Sequence, residues 1–186
     1  MLSRKDRITL LTIARTAIKA KLNNETLQFP KEDELTGISA QNGAFVTLHK
    51  HGMLRGCIGN FISEQPLYKL VAEMACAAAF NDPRFPPLSM EEMDEIDIEI
   101  SVLSPLEPCK EIETIIPGKH GIYLIRGLYR GVLLPQVATE YGWDRETFLD
   151  QTCIKAGMQP GCWRSPDTQI LIFTAEIFGE ISEGIL

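Results

Sequence analysis

No apolar run in the chain is long enough to span a bilayer, so a helical membrane protein is not expected. There is no basic run and no acidic tail, and the net charge is −7. Duplex nucleic acid is therefore not expected as a partner, because lysines and arginines neutralising phosphates supply most non-specific affinity. Neither GxGxxG nor GxxxxGK[ST] occurs, which removes the common phosphate-cradling loops. No segment has the composition of low complexity, and no stretch repeats. The N-terminal 22 residues hold basic groups and an apolar stretch but no small-residue cleavage site, so they read as a helix and not a signal peptide. The five cysteines are odd in number and contain no CxxC. Cys57, Cys76, Cys109, Cys153 and Cys162 thus read as reduced thiols of a cytoplasmic protein.

What is present is an ordinary globular composition. A chain of 186 residues suits one domain, 1–186, with room for two lobes. Ser3 and Asp6 form a capping-box pattern ahead of Leu10, Ile13, Ala14 and Ala17, which predicts a helix over 4–21. Residues 23–42 read as a loop. "GAFVTLHK" and "MLRGCIG", joined by "HG", predict a hairpin with Phe45, Thr47 and His49 on one face and Val46 and Leu48 on the other. A helix over 65–80 carries the stripe Leu67, Leu70, Val71, Met74 and Ala78, with Pro66 in its first turn. "SMEE" can cap a further short helix. "EIDIEISVL" alternates, with Ile96, Ile98 and Ile100 inward and Asp97, Glu99 and Ser101 on a solvated face. "IYLIR" and "YRGVLLP" predict strands meeting near Gly127, and "QVATEYG" a short helix. In "WDRETFLDQTCIKAG" Asp144 caps a helix, Trp143 and Phe148 occupy staple positions, and Gly157 ends it. "TQILIFTAEIF" supplies the last strand. Hairpins dominate over βαβ units, so the predicted class is α+β with antiparallel sheets and flanking helices.

The segments "LRGCIGNF", "DPRFPPLSMEEMDEIDIEISVLSP", "GKHGI", "LLPQVATEYGWD" and "CIKAG" resemble the AMMECR domain family, in order, from Phe45 to Trp163. In prokaryotes this domain is also called protein A of the AmmeMemoRadiSam system. The resemblance implies two lobes around antiparallel sheets with a cleft between them. It also implies partners: a dioxygenase-like (Memo-type) protein, whose gene lies beside or is fused to that of the family, and a radical-SAM protein, whose gene lies beside it. No radical-SAM cysteine triad occurs here, so this chain is not the iron–sulfur member. The resemblance implies no reaction.

Within "LRGCIGNF", Arg55 and Cys57 are two residues apart, which on a regular strand puts both on one face and Leu54, Gly56 and Ile58 on the other. A cation beside a thiol lowers the thiol pKa and makes a nucleophile; a buried cysteine at a strand end is inert packing. His120 in "GKHGI" is either the base such a cysteine needs or a turn residue bonding to backbone. His49 and His51 lack a third ligand at metal spacing, so no metal site and no cofactor is expected. Asp82 and Arg84 read as a turn-fixing pair. Two functions follow. One is a binding or adaptor component. The other is a small-molecule enzyme with Cys57 as nucleophile or redox thiol, Arg55 holding an anion and His120 as base.

Overall fold

The structure is a computed structural model and describes all residues, 1–186. In chain order its elements are α1 (Arg4–Leu22), α2 (Glu32–Leu35), β1 (Ala44–Lys50), β2 (Met53–Asn60), α3 (Leu67–Phe80), β3 (Ile96–Leu103), β4 (Glu107–Pro108), β5 (His120–Arg126), β6 (Tyr129–Leu133), α4 (Pro135–Glu140), α5 (Arg145–Lys155), β7 (Gln169–Gly179) and α6 (Glu180–Glu183). All registered strand pairs are antiparallel, which makes the fold α+β as expected. Two compact units form: Met1–Leu103 with Glu176–Leu186, and Ser104–Ala175. No helix is long and apolar enough to cross a membrane.

In the first unit the sheet order is β2-β1-β3, with the end of β7 next to β3. The capping box that starts α1 is present: Asp6 N–H donates to Ser3 Oγ, and Ser3 N–H to Asp6 Oδ2, both at 3.1 Å. α1 then buries Leu10, Leu11, Ala14 and Ile18. α3 buries Leu67, Leu70, Val71, Met74 and Ala78, and both helices share one core with Val46, Leu48, Ile98 and Ile100. Pro66 is the residue capping α3 and lies just outside its first turn. The C-terminal segment is tied in by Glu180, which is buried. Its Oε2 accepts from Arg15 Nη2 at 2.6 Å and from Ile98 N–H at 2.8 Å, while Arg15 also donates to the Met93 and Ile96 carbonyls at 2.8 Å. Ser101 departs from the solvated face expected of it: it is buried, while Asp97 and Glu99 on the same strand are half-buried.

In the second unit β4 and β5 flank β7, and β6 lies outside β5. Ile122, Leu124, Phe148, Leu149 and Trp163 are among its core residues. Asp144 Oδ1 accepts the Thr147 N–H at 2.8 Å and so caps α5. Here the expectation of five free thiols fails. Cys153 and Cys162 form a disulfide, leaving Cys57, Cys76 and Cys109 free. After α5 the chain reverses through Gly157 and Gly161, at φ of 78° and 80°, which glycine adopts without steric cost. That reversal returns Cys162 to a Cα separation of 6.0 Å from Cys153, inside the range a disulfide needs.

Candidate functional site

The site is built on the β1–β2 hairpin. Its turn, His51–Gly52, has positive φ at both residues (51° and 74°), which matches the twist of a two-residue hairpin. Register is regular from Ala44↔Asn60 to Leu48↔Gly56 and then jumps to His49↔Leu54. Arg55 is therefore the extra residue of a β-bulge. Directly paired residues share a face, so Leu54 goes with His49 and Thr47, and Gly56 and Ile58 go with the core residues Leu48 and Val46. The expected grouping of Leu54 with Gly56 and Ile58 does not hold, because the bulge breaks the alternation.

The bulge delivers the Arg55 side chain to Glu92. Nε and Nη2 each donate to one carboxylate oxygen at 2.9 Å, and Nη2 also donates to Pro86 O at 3.0 Å. Glu92 sits in the 3-10 turn Glu91–Asp94, formed where "SMEE" predicts a short helix, and also accepts the Ser89 N–H at 3.2 Å. The guanidinium holds the Glu92 carboxyl down at about 2, and the carboxylate raises Arg55 in turn. Lys50 Nζ adds a second cation to Glu92 at 3.3 Å. Arg55 is 7% exposed, and its Nη1 is buried without a partner.

β2 is an edge strand, and the edge is closed at Cys57. Cys57 N–H donates to Asp82 Oδ2 at 2.9 Å, and Arg84 Nη2 donates to Cys57 O at 3.3 Å. Arg84 grips Asp82 through Nε and Nη2 at 2.9 and 2.7 Å. Together the two side chains satisfy the backbone groups that a neighbouring strand would satisfy, and Arg84 keeps the Asp82 carboxyl well below the usual carboxylate range. Phe85 sits within cation–π reach of both guanidinium groups, 5.8 Å from Arg55 and 5.6 Å from Arg84. Gly56 is needed for another reason: a Cβ there would run into the Ala78 carbonyl of α3.

Cys57 lies in a row across three strands, Cys57↔Thr47↔Glu99. The Thr47 hydroxyl donates to Cys57 Sγ at 3.2 Å. Burial pushes the thiol pKa up; the Thr47 hydrogen bond and the charge of Arg84 pull the other way, while Asp82 and Glu99 add to the rise. The cation acting on the thiol is thus Arg84 and not Arg55. His120 opens β5 in the second unit. Its Nδ1 accepts the Ile116 N–H at 3.1 Å, and burial, with Lys119 next to it, lowers its pKa. No group of three or more His, Cys, Asp or Glu side chains is arranged to hold a metal ion.

Asp82 and Arg84 are legible as a turn pair in "DPRF". Glu92 and Thr47 were not legible as partners of Arg55 and Cys57. Their one sequence signal is the capping position of Glu92 and the alternation that puts Thr47 on a polar face.

A family model, AMMECR1, matches residues 11–178. A protein of Methanothermobacter thermautotrophicus is 48% identical, covering 96% of each chain. Protein TK0174 of Thermococcus kodakarensis is 44% identical over 92% of this chain and 88% of its own length. Among solved structures, the crystal structure of the uncharacterized protein PH0010 from Pyrococcus horikoshii superposes with a TM-score of 0.83 at 40% identity, covering 94% of this chain and 91% of that one.

Proposed function

The chain belongs to the AMMECR1 family, and from that premise we propose that it is a binding component acting with a dioxygenase-like protein and a radical-SAM protein, and not a thiol-nucleophile enzyme. The observation that carries this reading is the state of Cys57. Its thiol is pushed up by burial, and its neighbour Arg55 is clamped by Glu92 instead of stabilising a thiolate. The hydrogen bonds around "LRGCIGNF" shape the strand and close its edge. Apolar side chains then stand in water at both ends of that strand, Met53 at 73% and Ile62 at 68% exposed, with Leu54 beside Met53. Such a rim suits a protein partner.

The test is co-expression of the tagged chain with the dioxygenase-like and radical-SAM proteins of its own host, followed by size-exclusion chromatography. Co-elution with at least one of them, lost in Leu54→Glu, is the expected result. Separate elution of all three at micromolar concentration sinks the proposal.

A second reading keeps Cys57 as nucleophile or redox thiol, with Arg55 as anion holder and His120 as base. The unpartnered Nη1 of Arg55 favours it, since a ligand oxygen would satisfy that donor. Alkylation of the folded protein against pH separates the two readings. The binding reading requires a thiol that reacts only well above neutral pH or after unfolding, and that is unchanged in Arg55→Ala. Fast reaction near neutrality, slowed in that variant, supports the enzyme.

A further inference from the structure

We infer that the second unit carries a binding site for a small organic carboxylate with an apolar body, seated on Arg126. An open cavity of about 1120 Å³ is lined there by Arg126, Leu128, Tyr129, Met158, Pro160 and Asp167, among others. That is ample room for a small ligand. Arg126 and Tyr129 are directly paired across the β5–β6 hairpin, so the guanidinium and the ring stand side by side on one face. No hydrogen bond or ion pair engages the Arg126 side chain, whereas Arg130 in the same hairpin donates to Gly127 O at 3.2 Å. Of the half-buried arginines, Arg7 and Arg15 pair with carboxylates and Arg145 donates to the Ile115 carbonyl, whereas the Arg126 side chain has no such partner. Its planar fork matches a carboxylate in two-point fashion.

The other wall is fixed in advance. Asp150 Oδ1 accepts from Gly161 N–H and from Trp163 Nε1, both at 2.7 Å, and the Cys153–Cys162 disulfide joins the base of the 157–161 loop to α5. A wall tied in this way loses little freedom on binding. Leu128, 97% exposed, and Tyr129, 55% exposed, supply the apolar surface that a ligand body would cover. Asp167 is the other charged lining residue and makes no ion pair with Arg126. It would draw the ammonium of a ligand that has one, so the carboxylate could come from a simple acid or from an amino acid. The inference uses no residue of the β1–β2 hairpin and stands apart from the binding reading above.

The experiment is calorimetric titration of the full chain with phenylacetate, L-phenylalanine and phenylethanol. Phenylacetate or L-phenylalanine should bind, and phenylethanol, which lacks the carboxylate, should be at least about tenfold weaker. Arg126→Gln should weaken binding by about tenfold to a hundredfold, and Arg126→Lys by less, because it keeps the charge and loses the fork. Phenylalanine binding more tightly than phenylacetate, with the advantage lost in Asp167→Asn, assigns an amino acid; equal binding assigns a simple acid. An unchanged thermal midpoint of the variants shows that the fold is intact. The proposal fails if neither carboxylate binds at about 10 mM, if phenylethanol binds as well as they do, or if Arg126→Gln binds as the parent does.

Discussion

Arg55 in the first unit and Arg126 in the second are both arginines of hairpin strands, and the fold treats them in opposite ways. Arg55 is withdrawn from water, gripped at two points by Glu92 and set by a bulge. Arg126 is half-buried and engaged by nothing. A charge answered by a partner from its own unit tells us first about folding, since a buried ion must be paired to persist. A charge left unanswered beside a cavity points outward, to a ligand. The "LRGCIGNF" strand is the most distinctive stretch of the sequence, yet most of its hydrogen-bonding groups are answered internally. The plainer "LIRGLYR" hairpin keeps a free cation.

The contrast can be broken most severely at Gly56. Gly56→Val drives a side chain into the Ala78 carbonyl, so α3 cannot dock on β2. The variant should yield little soluble folded protein, while Cys57→Ser should stay within about 1 kcal/mol of the parent in urea melts. Comparable stability of the two variants would show that the close approach is not required.

Glu92→Ala comes next. It leaves Arg55 buried and unpaired, at a cost of about 3–5 kcal/mol. The double variant Arg55→Met, Glu92→Ala should recover part of that loss, because it removes the stranded charge. The pair also predicts acid sensitivity. Glu92 is held down from its ordinary 4.5 to about 2 by Arg55, so its contribution is complete above about 4.5 and fades as the pH falls towards 2. Asp82 is lowered in the same direction by Arg84 and persists to still lower pH. A urea midpoint that does not fall from pH 5 to pH 2 in the parent, or that falls equally in Glu92→Ala, would rule this pairing out as the cause.

In the second unit the largest single loss should come from Phe148→Ala, about 3–5 kcal/mol, since the ring is fully buried. Trp143→Ala should cost less, because Trp143 is only partly buried against the same core. Equal midpoints for parent and both variants would contradict the staple at the start of α5. A smaller loss than that of Phe148→Ala is expected of Cys153→Ala with Cys162→Ala. Opening a loop of nine-residue separation removes about 2–3 kcal/mol. The same variant should loosen the 157–161 loop, read as faster amide exchange at Gly161. Unaltered exchange there would mean that Asp150 alone holds the wall.

How much of this was legible beforehand follows the distance over which each feature is decided. The Ser3–Asp6 capping box, the Asp144 cap, the stripe of α3 and the alternation of Ile96, Ile98 and Ile100 are settled within a few residues of chain, because hydrogen bonds of a helix start and the two-residue strand period are local. These sufficed for the α+β class and the "DPRF" pair. The Arg55–Glu92 clamp joins positions 37 apart, and the edge closure joins Cys57 to Asp82 across 25. The clamp depends on a bulge that moves Arg55 out of register, which no periodicity announces, and the edge closure depends on where the turn after α3 packs. The disulfide was missed because two cysteines nine residues apart meet only if the intervening loop reverses. Local propensity and pattern determine which elements exist. Which charge finds a partner, which thiol is oxidised and which arginine is left free are decided by where distant segments pack, because Coulombic and covalent partners are chosen by distance in space and not along the chain.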